Sequence, residues 1–110
     1  MNKLKLSKIK QLLNFAHTEL DKYKKNESWG HLSQACEKTW VAFVLTLEYL
    51  SDEEIYGSKK RIELAKKLNL MELYQTTNKF HIIHYEGVKE DESLLFEEIE
   101  DAIHRIKGLL

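Results

Sequence analysis

Apolar residues recur at alternating steps of three and four over long stretches of this chain, a period that favours helices over strands. The clearest instance predicts a first helix with the apolar stripe Leu6, Ile9, Leu13, Ala16, Leu20 and Tyr23. The chain has no proline and only four glycines, so it lacks the turn residues that a β-sandwich or barrel needs between its strands. The sequence therefore predicts an all-α fold.

A second helix is expected after an N-cap at Asn26 or Ser28, and it should extend to Leu50. This helix is apolar on almost every side, which is usual where several neighbours or a second subunit cover a helix. The segment Ser51–Glu54 then has the spacing of a capping box. It predicts a short helical turn that ends near Gly57.

Capping residues also predict where the later helices begin. Ser58 is expected to cap a third helix. A capping box at Asn69 is expected to start a fourth helix, which should end at Gly87. Asp91 or Ser93 is expected to cap the last helix. The residues expected to face the core are Ile62, Ala65 and Leu68, then Leu73, Tyr74, Thr77, Phe80, Ile83 and Tyr85, and finally Leu95, Ile99, Ala102, Ile106 and Leu109. Four or five helices with short connections are typical of an antiparallel up-and-down bundle. With no linker or repeat, residues 1–110 are predicted to form one domain.

Composition and charge argue against several classes of protein. The net charge of −1 is unlike that of a uniformly basic nucleic-acid binder. The single cysteine, Cys36, cannot form an internal disulfide, which favours a reducing compartment. The longest apolar run, Trp40 to Leu45, is too short to span a membrane, and the lysine-rich start is unlike a signal peptide. We therefore expect a cytoplasmic protein without membrane association.

Charged residues are segregated along the chain. Lysines concentrate in the first and third predicted helices, whereas acidic residues dominate between Glu86 and Asp101. One interpretation is complementary solvated faces within or between subunits, and the other is a basic patch that follows a phosphate backbone. The sequence leaves both interpretations open.

Two segments concentrate groups that can bind a ligand or move a proton. One lies in the second helix, and the other occupies two turns of the fourth, where two histidines three residues apart share a face. The candidate binding residues are Glu37, Lys38, Trp40, His81, His84, Tyr85 and Glu86. We expect the polar members of this set to lie together in a groove between the two helices.

These two segments resemble a known family. The sequence Gln-Ala-x-Glu-Lys-x-Trp ends at Trp40, a Gly-Ser pair follows it, and His-x-x-x-Tyr-Glu-Gly ends at Gly87. Their order and separation resemble the archaeal PaREP proteins, which are HEPN-like four-helix bundles, over roughly Ile9 to Ile106. The resemblance implies an often dimeric bundle found beside nucleotidyltransferases, toxin systems and RNA-processing machinery. It implies no particular reaction.

Catalytic HEPN proteins are ribonucleases, recognised by an arginine followed four to six residues later by a histidine. The nearest match here runs from Lys79 to His84, with lysine in place of arginine. By this resemblance His84 would act as general acid or base and Lys79 would hold the phosphate. Lysine offers a mobile point charge where arginine offers a planar fork, and neither Arg61 nor Arg105 has a histidine at that distance.

Each candidate also has a structural interpretation. His81 and His84 can be half-buried histidines that hydrogen-bond carboxylates such as Glu37, and Tyr85 a core aromatic with its hydroxyl at the rim. A ferritin-type metal site would need more ligands than the pair of Asp101 and His104, so we expect neither a metal nor another cofactor.

Three functions remain open at this point. The first is a small dimeric binding module in a nucleotide- or RNA-linked system, such as a toxin–antitoxin or defence system, with a nucleotidyltransferase as a possible protein partner. The second is a metal-independent ribonuclease that uses His84 and Lys79, and the third is a purely structural interaction protein. The dimer is expected because Val41, Val44 and Leu45 add more apolar surface to the second helix than one small bundle covers.

Overall fold

The computed structural model describes residues 2–87 and 91–110, and nearly all of these residues are helical. The helices are α1 (Lys3–Asn26), α2 (Trp29–Ser51), α3 (Ser58–Lys67), α4 (Met71–Glu86) and α5 (Glu92–Leu109). The prediction of an all-α helical bundle is therefore confirmed. Within these ranges, no helix is both long and apolar enough to cross a membrane.

Helix α2 occupies the centre of the bundle. It contacts each of the other four helices, and buried side chains from all five helices form one cluster around it. Its apolar sequence on almost every side therefore has a cause within the chain itself. Val41, Val44 and Leu45 pack against this cluster but remain partly exposed, so the neighbouring helices do not cover α2 completely.

Three threonines lie in the core, where an unpaired hydroxyl would be costly. Thr39, Thr46 and Thr77 are fully buried. Each hydroxyl donates to the backbone carbonyl four residues earlier in its own helix, at 2.7 or 2.8 Å. These polar residues are accommodated without any partner from another helix.

The helical turn predicted at Ser51–Glu54 is absent, so that prediction was wrong. Ser51 is the last residue of α2, and its hydroxyl donates to the Leu47 carbonyl at 2.7 Å instead of capping a new helix. The segment that follows is held by the buried carboxylate of Glu48, which accepts from the Ile55 N–H at 2.9 Å. Lys5 pairs with the same carboxylate at 3.2 Å.

The later helix boundaries match the predictions in part. Gly87 ends α4 in the left-handed conformation, with φ of 66°, and Asp91 caps α5, both as predicted. Ser58 and Asn69 do not cap their helices. Ser58 is already the first residue of α3, and Asn69 adopts a left-handed φ of 58° one residue before the N-cap position of α4, which Leu70 occupies.

Most residues that were predicted to face the core are buried. Ile62, Leu68 and Leu109 are only partly buried but pack against the cluster, and Leu64 is buried although it was not in the predicted stripe. The exception is Tyr85, whose side chain is 71% exposed. Its assignment to the core was wrong, because Tyr85 follows the buried Ile83 by only two residues, so the two side chains point about 160° apart around α4.

The cap of α5 predicts a pH-dependent stability. The Asp91 carboxylate accepts from the Ser93 hydroxyl at 2.7 Å and from the Leu94 N–H at 3.2 Å. These hydrogen bonds, the hydroxyl first, hold the pKa of Asp91 below its ordinary value. The stabilisation is therefore present above the unfolded-state pKa and is lost as the pH falls through the folded-state pKa.

We expect Asp91→Ala to lower the melting temperature at neutral pH, and the difference from wild type to shrink as the pH falls below about 4. Thermal unfolding followed by circular dichroism at several pH values measures both effects. Asp101→Ala, which removes an exposed carboxylate from the middle of the same helix, is the control. A difference from wild type that is the same at neutral and strongly acidic pH would contradict this account.

Candidate functional site

Helices α2 and α4 bring six polar and aromatic side chains together, and we call this group the imidazole cluster. On α2 the members are four and three residues apart, and on α4 the first is three and four residues before the other two. This spacing places the members from each helix on one face of that helix. The cluster consists of Ser33, Glu37 and Trp40 from α2 and His81, His84 and Tyr85 from α4.

His81 is held by two groups of α2. Its Nδ1 lies 3.0 and 3.1 Å from the two carboxylate oxygens of Glu37, and its ring lies 5.3 Å from the Trp40 ring at an interplanar angle of 30°. Because an ionised carboxylate only accepts, Nδ1 carries a proton and donates it. The side chain of Glu37 is 13% exposed and that of His81 is 38% exposed. The imidazole is therefore oriented by the protein and still reaches solvent.

His84 is oriented in the same way by Ser33. Its Nδ1 lies 3.0 Å from the Ser33 backbone carbonyl oxygen and 2.8 Å from the Ser33 hydroxyl. A carbonyl oxygen can only accept, so Nδ1 of His84 is also a donor. In both histidines Nδ1 is used by α2, which leaves Nε2 as the ring atom for hydrogen bonding or proton transfer with a ligand.

Tyr85 lies against both imidazoles. Its ring centroid is 4.8 Å from that of His81 and 5.0 Å from that of His84. The interplanar angles of 65° and 89° are those of edge-to-face contacts. Because the side chain is 71% exposed, the ring is open to a planar ligand, and exposed aromatic rings of this kind stack with nucleobases.

Two residues predicted for the site, Lys38 and Lys79, make contacts elsewhere, and a third, Glu86, is exposed. Lys38 extends toward α1, where its ammonium lies 5.1 Å from the centroid of the Phe15 ring. It cannot join Glu37 because adjacent helical positions point about 100° apart. Glu86 is exposed at the last position of α4. Lys79 pairs with Glu98 of α5 at 2.6 Å. Lys79 and His84 are five residues apart, so their side chains point about 140° apart around α4.

A third helix also contributes to this region, which the sequence did not predict. The Arg61 guanidinium of α3 lies 5.3 Å from the centroid of the Trp40 ring. Tyr74 packs edge-on against the same indole, with centroids 5.9 Å apart. Trp40 thus joins α2, α3 and α4, as a buried indole commonly does. No spacing rule links positions 40 and 61, because the irregular segment between their helices sets the geometry.

Another carboxylate–imidazole pair was also missed. The Nδ1 atom of His31, in α2, lies 2.5 Å from the carboxylate of Glu19, in α1. The Lys22 ammonium lies 3.8 Å from the same carboxylate. Glu19 is buried, so the pair connects α1 to α2 near their junction. The only sequence signal was a glutamate beside the apolar stripe of the first helix.

The partial metal motif at the end of the chain lies on an open surface. Asp101 and His104 line a shallow groove with His17, Glu97 and Glu100, and both are exposed. Among residues 2–87 and 91–110, no group of three or more histidine, cysteine, aspartate or glutamate side chains is arranged to hold a metal ion.

Comparison with known proteins finds no relative of this chain. No protein-family model matches it, and neither a curated protein nor a solved structure does. The chemistry of the imidazole cluster is therefore inferred from its own side chains.

The contact between Glu37 and His81 predicts the tautomer of the histidine. In the wild type at about pH 9, where ordinary imidazoles are neutral, we expect His81 to carry its proton on Nδ1. Glu37→Ala removes the acceptor, so His81 should lose its preference for that tautomer while His84, held by Ser33, keeps its own. Long-range proton–nitrogen NMR spectra distinguish the two forms. An unchanged His81 spectrum in Glu37→Ala, judged against the control Gln34→Ala, would show that the contact does not orient the ring.

Proposed function

We propose that this chain is a small homodimeric, HEPN-like binding module that takes up a nucleotide or a short single-stranded RNA at the imidazole cluster. It would act in a nucleotide- or RNA-linked system, such as a toxin–antitoxin or defence system, without catalysing a reaction. The observation that carries the proposal is the exposed ring of Tyr85 between two imidazoles that α2 holds in fixed orientations.

The chemistry of the cluster supports this ligand class. Single-stranded RNA and nucleotides are recognised by stacking of the base on an exposed aromatic ring and by hydrogen bonds to the base and phosphate. Tyr85 supplies the ring, and the Nε2 atoms of His81 and His84 supply hydrogen-bonding groups. The carboxylate within the cluster, that of Glu37, is already engaged by His81, which reduces its repulsion of an anionic ligand.

A metal-independent ribonuclease is the second candidate. It is favoured by the contact of Ser33 with Nδ1 of His84, because an oriented imidazole with Nε2 available is the usual form of a general acid or base. It is disfavoured by Lys79, whose ammonium pairs with Glu98 on α5 and is therefore poorly placed to hold a phosphate beside His84. For this reason the binding module ranks first.

The proposed dimer has its support on the outward side of α2. Val41, Val44 and Leu45 are only partly covered there, and Phe15 of α1 is 46% exposed beside Lys38. Neighbouring apolar side chains that remain accessible often belong to a subunit interface. A nucleotidyltransferase as a further protein partner is part of the proposal through the family resemblance alone.

Stacking on Tyr85 predicts the effect of its removal on binding. Tyr85→Ala should weaken binding of a fluorescent single-stranded RNA of about six nucleotides by roughly 5- to 150-fold, because one stacked base contributes about 1–3 kcal/mol. Fluorescence anisotropy measures the affinity. Tyr56→Ala, which removes another exposed tyrosine, is the matched control. Equal affinities of wild type and Tyr85→Ala would remove the main support for the binding site.

The same RNA distinguishes the two candidate functions. A binding module leaves it intact, both as wild type and as Lys79→Arg, while a catalytic HEPN ribonuclease used as a positive control cuts it. Cleavage by the wild type that persists with a chelator and disappears in His84→Ala would favour the ribonuclease instead.

The apolar side of α2 predicts the oligomeric state. Light scattering at about 50 µM protein should give twice the chain mass of 13.0 kDa. Val41→Glu should shift the protein toward the monomer by placing a charge in the interface. Leu94→Glu, at a residue of α5 that is 58% exposed, should leave the mass unchanged. A monomeric wild type would refute the dimer.

A further inference from the structure

The guanidinium of Arg61 has an unusual environment for a partly buried charge. It lies on the Trp40 indole, while its Nε is buried and has no hydrogen-bond partner in the described part of the chain. Nor does a described carboxylate come within ion-pair distance of it, whereas the other arginine, Arg105, pairs with Glu72 at 3.3 Å. Buried and half-buried arginines are ordinarily paired with an acceptor.

Contact with an indole compensates this charge only in part. A cation over an aromatic ring is attracted by the ring quadrupole, but the ring accepts none of the directed N–H bonds of the guanidinium. A cation held by packing, without an anion from the described part of its chain, is suited to an anion from outside. The fork of its two terminal nitrogens matches two oxygens of a phosphate, which a lysine ammonium does not.

The position of Arg61 links it to the imidazole cluster. The Trp40 indole contacts both groups. Its ring centroid lies 5.3 Å from the Arg61 guanidinium and 5.3 Å from the centroid of the His81 ring. His81 in turn contacts the exposed Tyr85 ring at 4.8 Å. The cation of α3, the indole of α2 and then the imidazole and open aromatic ring of α4 therefore follow one another. This sequence of groups corresponds to the phosphate and base of a nucleotide.

We propose that Arg61 is the phosphate-binding residue of the imidazole cluster, and that the ligand is a phosphate-bearing nucleotide, either free or within RNA. The proposal rests on the function proposed above for the cluster. It assigns to Arg61 on α3 the role that the sequence pattern offered to Lys79 on α4. Lys79 is paired with Glu98, whereas no described side chain neutralises Arg61.

NMR spectroscopy can test this role directly, because the chain has two arginines and hence two Nε–H signals. Arg105→Gln assigns them by removing one. Titration with inorganic phosphate, with adenosine monophosphate and with a six-nucleotide RNA should shift the Arg61 signal and leave that of Arg105 in place. Adenosine, which lacks the phosphate, should not shift it. The ratio of affinities for the monophosphate and the RNA then distinguishes a free nucleotide from an RNA ligand.

Affinity measurements on variants complete the test. Arg61→Gln should weaken binding of the preferred phosphate ligand at least about tenfold, in keeping with the loss of a charged hydrogen bond. Arg61→Lys keeps the charge without the fork and should give a smaller loss. Arg105→Gln should bind like the wild type. Circular dichroism establishes that each variant is folded, and Arg61→Lys remains informative if Arg61→Gln is not.

Several results would overturn the proposal. Full affinity in folded Arg61→Gln, together with a loss in Tyr85→Ala, would reject Arg61 while leaving the proposed function intact. A lower melting temperature with unchanged affinity would make Arg61 a brace between α3 and α2 only. Loss of the dimer with unchanged affinity would mean that Arg61 meets a carboxylate of a second copy. Failure of the wild type to bind any of the phosphate ligands would reject both proposals together.

Discussion

The burial of α2 on almost all of its sides is the constraint on which the rest of the structure depends. A helix with Leu32, Phe43 and Leu47 fully buried needs neighbours around most of its circumference. The other four helices supply them, which accounts for a bundle with one central member. Polar residues on such a helix must either bond within it or find a partner at its edge. Thr39 and Thr46 take the first course, and Ser33 and Glu37 take the second through the histidines of α4.

The structural and functional interpretations of the two histidines are therefore compatible. Pairing of His81 with Glu37 satisfies a nearly buried carboxylate, which the structural interpretation requires. The same hydrogen bond fixes the ring and reserves Nε2, which a binding site requires. His84 follows the same logic through Ser33. A contact that stabilises the α2–α4 interface would also preorganise the groups that face the proposed ligand.

The sequence predicted what depends on periodicity and on strong local signals. The apolar period gave the long helices, the glycine at position 87 has the left-handed φ that ends α4, and Asp91 has the short carboxylate that caps α5. The prediction from the capping box at Ser51 was wrong because Ser51 is still part of α2 and so cannot cap a new helix. A capping motif describes how a helix can begin, whereas tertiary packing decides where the preceding one ends.

The candidate site was predictable to the extent that helical geometry determines it. The rotation of about 100° per residue excluded Glu37 and Lys38 from one shared face, but only packing decides which of the two turns toward α4. Tyr85 is exposed whereas Ile83 is buried, because a step of two residues does not fit the helical period and turns the two side chains about 160° apart. The approach of Arg61 to Trp40 depends on where α3 docks, which no local pattern encodes.

The docking of α3 connects the fold to the proposed ligand. This helix is short, its only fully buried side chains are Leu64 and Ala65 within the described chain, and it contacts α2 and α4 alone. The contact of Arg61 with Trp40 therefore joins the packing of Ile62 and the Lys60–Glu53 ion pair in holding its first turns in place. A phosphate bound by Arg61 would bind only while α3 is docked, and mass action would then stabilise the docked state. Under the proposal, ligand binding and the attachment of α3 would share one interaction, so the helix with the fewest buried side chains would be the one that responds to the ligand.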